Sequence, residues 1–325
     1  MQKEHTIIVG GGPCGMSCAI ELQDQNIKPL IIEKENIVNT IYNFPTHQMF
    51  FSSSEKLEIG DVAFITERQK PVRNQALAYY RSVAERKKLR VNPFEKVINV
   101  KKMDNVFYVH TESSTGVQQN YQAQNVIIAT GYYDQPNLME VPGENLDKVM
   151  HYFNEAHPYF MKNVVVIGGK NSAVDATLEL HKAGANVTVL YRGETYSKSV
   201  KPWILPEFDA LVRKDKIKME FNAEVSEITD TQVFYEVKGV KKSIANDFVF
   251  AMTGYKPDHD FLRQIGIEFD GLSGRPQFNE NTLETNIPGV FVAGVIAAGY
   301  NNNKIFIENG RHHGKLIADA IINRH

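Results

Sequence analysis

Cysteine is scarce in this chain, with only Cys14 and Cys18 in 325 residues, and no Cys-x-x-Cys pair occurs. A disulfide framework is excluded as the support of the fold. Four residues apart on one helix, the two side chains would stand about 5–6 Å apart at Cβ, wider than the ~3.5–4.5 Å that a disulfide needs. Two thiols without paired histidines also fall short of a four-ligand metal site, so no metal is expected. Long apolar runs are missing too: none approaches the ~20 residues that span a bilayer. Neither sign of charge dominates, with 36 Lys and Arg against 38 Asp and Glu. Nucleic acid is therefore not an expected partner, and Arg86-Lys87-Lys88 and Lys241-Lys242 read as solvated faces. Met1 to His5 is polar and leads straight into a strand, so no signal peptide is expected and the cytoplasm is the default location. What remains is a soluble globular composition, 42% hydrophobic and 23% charged, long enough for about two domains of ~150 residues.

The chain is organised around its opening stretch. A β-branched run, Thr6 to Val9, enters Gly10-Gly11-Gly12-Pro13-Cys14-Gly15; an amphipathic segment, Met16 to Leu22, follows; a second apolar run, Pro29 to Ile32, ends at Glu33. This is strand, glycine turn, helix, strand, acid. Gly10 permits the tight turn, Gly12 lets the main chain approach a pyrophosphate, Gly15 allows close helix–strand packing, and Glu33 can accept bonds from ribose hydroxyls. The helix N-terminus adds amide donors and its dipole. Cys14, at that N-terminus, is expected to have a lowered thiol pKa. Cys18 is expected only to pack one turn later.

Downstream, Tyr42 to Ser52 mixes aromatic and polar residues; it reads either as a cover for a flat heteroaromatic ring or as a loop anchored by Phe50 and Phe51. A helix is expected within 70–90, and antiparallel strands at Phe94–Val100, Val106–Thr111 and Val117–Tyr121. A buried strand, Val126 to Ile128, then runs into Ala129-Thr130-Gly131.

The opening pattern recurs. Val164 to Ile167 enters Gly168-Gly169-Lys170-Asn171-Ser172-Ala173, followed by a helix and a strand over Val187 to Leu190. Two nucleotide fingerprints in one chain describe a machine that passes electrons between two nucleotides. The repeats differ where they discriminate: Glu33 stands 23 residues beyond Gly10, while Tyr191 holds the same register beyond Gly168 and Arg192 follows it. An arginine there accommodates a 2′-phosphate, so the second site should prefer NADPH over NADH, with help from Lys198 or Lys201. The alternative is that Arg192 is a surface charge. Lys170 replaces the middle glycine, which implies a displaced pyrophosphate. Antiparallel strands are expected again over Phe221–Ile228, Val233–Val237 and Lys241–Ile244, followed by Phe248 to Met252 and a second Thr-Gly at Thr253-Gly254. The last segment, Ile287-Pro288-Gly289-Val290-Phe291-Val292-Ala293-Gly294-Val295 and a helix near Lys304–Ile322, carries no fingerprint and returns to the first domain.

These motifs resemble the two-dinucleotide-binding-domain flavoprotein reductases, the group that includes low-molecular-weight thioredoxin reductase. The resemblance implies an α/β protein of two Rossmann-like dinucleotide-binding domains, each with a small antiparallel β insertion. Residues 1–135 and 255–325 would bind FAD, and 136–254 NADPH. It assigns Gly10, Gly12, Pro13, Gly15, Glu33, Lys34, Gln48, Val97, Thr130, Gly131, Gly294 and Val295 to the flavin nucleotide. Gly168, Gly169, Asn171, Ser172, Ala173, Arg192, Lys198 and Gly254 fall to the nicotinamide nucleotide. The missing Cys-x-x-Cys excludes thioredoxin reductase activity, and Val295 replaces an aspartate that contacts the flavin ribityl chain in that group. With a cysteine inside GGGPCG, together with GGKNSA and AGVIAAGYNNNKIFIENGRHHG, the chain is most similar to the bacillithiol disulfide reductases. That similarity implies NADPH-dependent reduction of a small-molecule disulfide, with Cys14 as the catalytic thiol through a mixed disulfide. It also implies a homo-oligomer, dimer or tetramer. Ferredoxin or flavodoxin:NADP+ reductases, with a redox protein as acceptor, flavin monooxygenases, and a non-enzymatic NADPH-responsive binding module are the competing readings.

Overall fold

The computed structural model describes residues 1–301 and 303–324. The chain divides into two compact units: residues 1–43, 47–135 and those from Lys256 onward form the first, and Phe44–Thr46 with Pro136–Tyr255 the second. Relative to the sequence reading, the boundary moves past Tyr255, and three loop residues join the second unit.

The first unit opens with β1 (Gln2–Val9), α1 (Pro13–Asp24) and β2 (Leu30–Ile32). Short helices α2 (Asn39–Tyr42) and α3 (Ser54–Leu57) precede α4 (Arg73–Arg86), then come β3 (Val91–Asn92), β4 (Glu95–Met103), β5 (Val106–Ser113) and β6 (Gln118–Ile128). Pro13 suits the first position of α1, where a missing N–H costs nothing. The sheet runs β3-β2-β1-β6-β5-β4. The expected strand Val117–Tyr121 and the expected strand Val126–Ile128 are one strand, because no glycine or proline interrupts Gln122-Ala123-Gln124-Asn125. β6 therefore pairs parallel to β1 from Tyr121 to Ile128 and antiparallel to β5 from Gln118 to Ala123. The antiparallel strands of the first unit are fused to the main sheet and form no separate insertion.

The second unit contains β7 (Val149–Met150), β8 (Asn163–Ile167), α5 (Asn171–Lys182), β9 (Asn186–Tyr191), α6 (Leu205–Arg213), β10 (Lys218–Phe221), β11 (Ala223–Ile228), β12 (Gln232–Val237), β13 (Val240–Ala245) and β14 (Phe248–Ala251). Its main sheet is parallel, in the order β10-β9-β8-β14-β7, and β11-β12-β13 form a separate antiparallel sheet. Phe221 closes β10 rather than opening the antiparallel sheet, because Asn222 at φ 53° turns the chain between them. Along β8, Val164 and Val166 face one core while Val165 and Ile167 face another. Burial on both faces is why the strand reads as an unbroken apolar run.

The chain returns to the first unit with α7 (His259–Ile265), β15 (Val290–Val292), α8 (Ile307–Gly310) and α9 (His313–Ile322). β15 pairs with the second half of β6. The helix expected over Lys304–Ile322 is two helices broken at Arg311 and His312, and Asn302 of the preceding segment lies outside the described residues. α9 lies against α1 so closely that a Cβ at Gly314 would stand 2.9 Å from the Cys18 amide nitrogen. No helix among the described residues is long and apolar enough to cross a membrane.

Candidate functional site

In the first unit the ends of β1, β6 and β15 meet at one edge of the parallel strands, where ligands of open α/β sheets bind. The amide of Gly10 donates to Ile32 (2.9 Å), that of Ala129 to Val9 (2.8 Å) and that of Ala293 to Ile128 (2.9 Å). Gly10 sits at φ 109°, and a Cβ there would lie 2.5 Å from the Ala129 carbonyl oxygen. A Cβ at Gly15 would meet the Gly10 carbonyl at 2.1 Å, which fixes how near α1 approaches the turn. At Gly12 a Cβ would meet none of the described residues within 4 Å, so the main chain is open there. No side chain caps α1. An uncapped helix start beside a bare, open main chain fits a pyrophosphate. Thr130 and Gly131 follow β6 on this edge; Gly131 is open in the same way.

Glu33 is buried just beyond β2. Its Oε2 accepts the Gly11 amide at 2.6 Å, and Oε1 accepts that of Glu35 at 3.0 Å. Burial pushes this carboxyl above its ordinary range, against the pull of the two amide donors. Of the other residues assigned to the flavin nucleotide, Lys34 pairs with Asp134 at 2.9 Å, and Gln48 is half-buried and braces its own loop through Met49. Val97 is buried in the core from β4, which leaves only its main chain to face a ligand. Val295 follows Gly294 in a short 3-10 turn after β15. The Tyr42–Ser52 loop is tied down by Phe50 N–H to Pro71, Arg73 N–H to Gln48 and Ser52 Oγ to Glu308 Oε2 (2.8 Å).

Cys14 departs from expectation. Its side chain turns to the C-terminal segment, where a Cβ at Gly294 would lie 3.0 Å from Sγ and one at Gly310 2.9 Å. The residue keeps some exposed surface while Sγ is packed about by protein. Burial pushes the thiol up to about 12, so the helix N-terminus does not lower it in this structure. Cys18 is buried and its thiol is likewise raised. Gly294 is held from the other direction, its amide donating to His313 Nδ1 at 3.1 Å. Burial lowers the His313 pKa, which favours the neutral ring this bond needs. Gly310 and His313 fall within the run AGVIAAGYNNNKIFIENGRHHG, but no local pattern assigns either a role of its own, because both act through long-range packing.

The second unit repeats the first two of these main-chain bonds, those of the Gly10 and Ala129 amides. Gly168 N–H donates to Leu190 (2.9 Å) and Met252 N–H to Ile167 (2.8 Å). Gly168 sits at φ 135°, with the Met252 carbonyl 2.5 Å from where a Cβ would be. Gly169 lies over the Tyr191 ring, 2.5 Å from a Cβ position, as Gly11 lies over Glu33. The ring is closed in as tightly by Gly193, whose role sequence reading missed. Lys170, exposed at the cap of α5, has extended main chain, Ser172 is exposed and Ala173 is buried. Arg192 and Lys198 are exposed beyond β9. Gly254 accepts the Asn137 amide at 2.9 Å beyond β14.

Two glycine turns of the dinucleotide-binding pattern, each at the ends of parallel strands, mark the class of dinucleotide-dependent oxidoreductases. The chain belongs to the pyridine nucleotide-disulphide oxidoreductases, whose family model matches residues 7–294, and enzymes of this kind work with FAD and NAD(P)H. It is 63% identical to bacilliredoxin reductase Bdr of Bacillus subtilis over 100% of this chain and 99% of the relative. It also superposes on bacillithiol disulfide reductase Bdr (YpdA) of Bacillus cereus with TM-score 0.99 and 62% identity, covering all of both chains. Thioredoxin reductase of T. acidophilum shares the fold, with TM-score 0.78 and 22% identity over 100% of this chain and 99% of that one.

Proposed function

We propose that the chain is an NADPH-dependent flavoprotein that reduces bacillithiol disulfide, a low-molecular-weight disulfide, in the cytoplasm and so serves thiol redox homeostasis. The observation that carries the nucleotide assignment is the contrast at one register of the two turns. Below Gly11 stands the carboxylate of Glu33, an acceptor for a ribose diol; below Gly169 stands Tyr191, followed by the cation of Arg192. FAD falls to the first unit and NADPH to the second. Bound flavin supplies the two-electron relay between nicotinamide and disulfide. NADPH, a proton and one disulfide give NADP+ and two thiols. The names of the B. cereus and B. subtilis relatives support the acceptor, a bacillithiol disulfide or a bacilliredoxin. A homo-oligomer, dimer or tetramer, is the assembly proposed.

Cys14 is the proposed exchange thiol. Attack on a disulfide requires thiolate, so this role requires Sγ to leave its place beside Gly294 and Gly310. That enclosure favours a second reading in which the disulfide is reduced with no protein thiol. Cys14→Ala separates the two. Exchange at Cys14 predicts that NADPH still bleaches the flavin without oxygen while disulfide turnover disappears; turnover near the wild-type rate assigns the step to the second reading.

A further inference from the structure

We propose that Asn171 is a positioning residue for recognition of the 2′-phosphate, latching the loop that carries Lys198 and Lys201 to the start of α5. This deepens the NADPH reading and rests on it. The family resemblance places Asn171 among the nucleotide contacts, yet its side-chain amide is engaged elsewhere. Nδ2 donates to the Ser199 carbonyl at 2.9 Å and Oδ1 accepts the Lys201 amide at 2.9 Å. The bonded segment lies between β9 and α6 and has no strand or helix of its own. Its own hydrogen bonds are short-range, the Ser197 and Ser199 hydroxyls bonding at 2.8 Å and Val200 N–H donating to Ser197 at 3.1 Å. Val200 is buried in the core and Tyr196 packs edge-on against Phe208 and Phe221, so Asn171 supplies the polar tie that fixes the lysine-bearing part of the loop to α5. Lys201 in turn accepts the amides of Ile204 and Leu205 and so launches α6. One side chain thus joins the fingerprint helix, the basic loop and the next helix.

The consequence is selective. Attraction between an ammonium and a phosphate falls with separation, so a loop freed to move weakens contacts to the 2′-phosphate. The pyrophosphate, which NADH shares, is held at the turn itself.

The test compares wild type, Asn171→Ala and Asn171→Ser as FAD-loaded proteins, by calorimetric binding of 2′,5′-ADP and 5′-ADP and by steady-state kinetics with NADPH and NADH. Both variants are expected to weaken 2′,5′-ADP about tenfold, with 5′-ADP changed less than about threefold. The KM for NADPH should rise by a similar factor, with kcat within about twofold of wild type. Equal losses for both ADP ligands overturn the proposal, because Asn171 then serves the shared pyrophosphate; unchanged 2′,5′-ADP binding overturns it as well. If wild type itself fails to distinguish the two ligands, the NADPH reading fails first and takes the latch with it.

Discussion

At the thiol of Cys14 two opposing effects act, and their sizes decide its charge. A helix N-terminus favours an anion by ~0.3–1 kcal/mol, and by ~2 kcal/mol in favourable partly buried geometry. Burial raises the thiol from its ordinary value near 9 to about 12, a net disfavouring of thiolate by about 4 kcal/mol. Desolvation wins. Alkylation of Cys14 by iodoacetamide, followed by mass spectrometry of the oxidised protein, should be slow at pH 7 and still accelerating above pH 10; a plateau below pH 8.5 would contradict the enclosure. The walls are glycines for steric reasons. Gly310→Ala would set a methyl 2.9 Å from Sγ, an overpacking that costs about 1–3 kcal/mol. The thermal midpoint should fall accordingly and recover largely in Gly310→Ala/Cys14→Ala; no recovery would show that Sγ is not the obstacle. Arg192→Ala should raise the KM for NADPH by about an order of magnitude or more, the loss of one charge-assisted contact of about 1.5–3 kcal/mol. NADH kinetics should stay nearly unchanged, and equal losses for both coenzymes would remove Arg192 from phosphate recognition.

Among the elements, those with a short-range cause were legible in the sequence. Gly10, Gly12 and Gly15 announce the first turn because each spacing has its own steric reason, and the recurrence at Gly168 carries the same logic. What the sequence hid depends on distant partners. β6 reads as two strands because its first half alternates beside β5 and its second half is buried between β1 and β15. The break between α8 and α9 has no proline to mark it. There the Arg311 carbonyl accepts Ser17 Oγ at 2.6 Å, and its guanidinium reaches the carbonyls of Glu55 and Glu58. The enclosure of Cys14 was hidden for the same reason, since Gly294 and Gly310 lie far along the chain. The continuity of β6 has a direct test. Ala123 pairs with Glu4 on one side and Phe107 on the other, so Ala123→Pro removes a ladder donor inside the sheet and leaves its acceptor unpaired, at a cost of about 1–3 kcal/mol. Urea unfolding and flavin content should both fall. A variant as stable as wild type would mean that the strand is interrupted there, as the sequence pattern suggested.

For the whole molecule, the duplication organises the chemistry. Each unit offers a glycine turn, a helix start and the ends of parallel strands, and the register that holds Glu33 in one holds Tyr191 in the other. One pattern thus gives sites that differ in the nucleotide they suit, the requirement for a relay from NADPH through flavin to an acceptor. The most direct measurement is anaerobic consumption of NADPH by the FAD-loaded protein, followed at 340 nm against a panel of bacillithiol disulfide, glutathione disulfide, cystine, a bacilliredoxin, ferredoxin and flavodoxin. The account predicts turnover with bacillithiol disulfide at one NADPH per two thiols released, with the other small disulfides far slower. Turnover with ferredoxin or flavodoxin and none with bacillithiol disulfide or bacilliredoxin would contradict it.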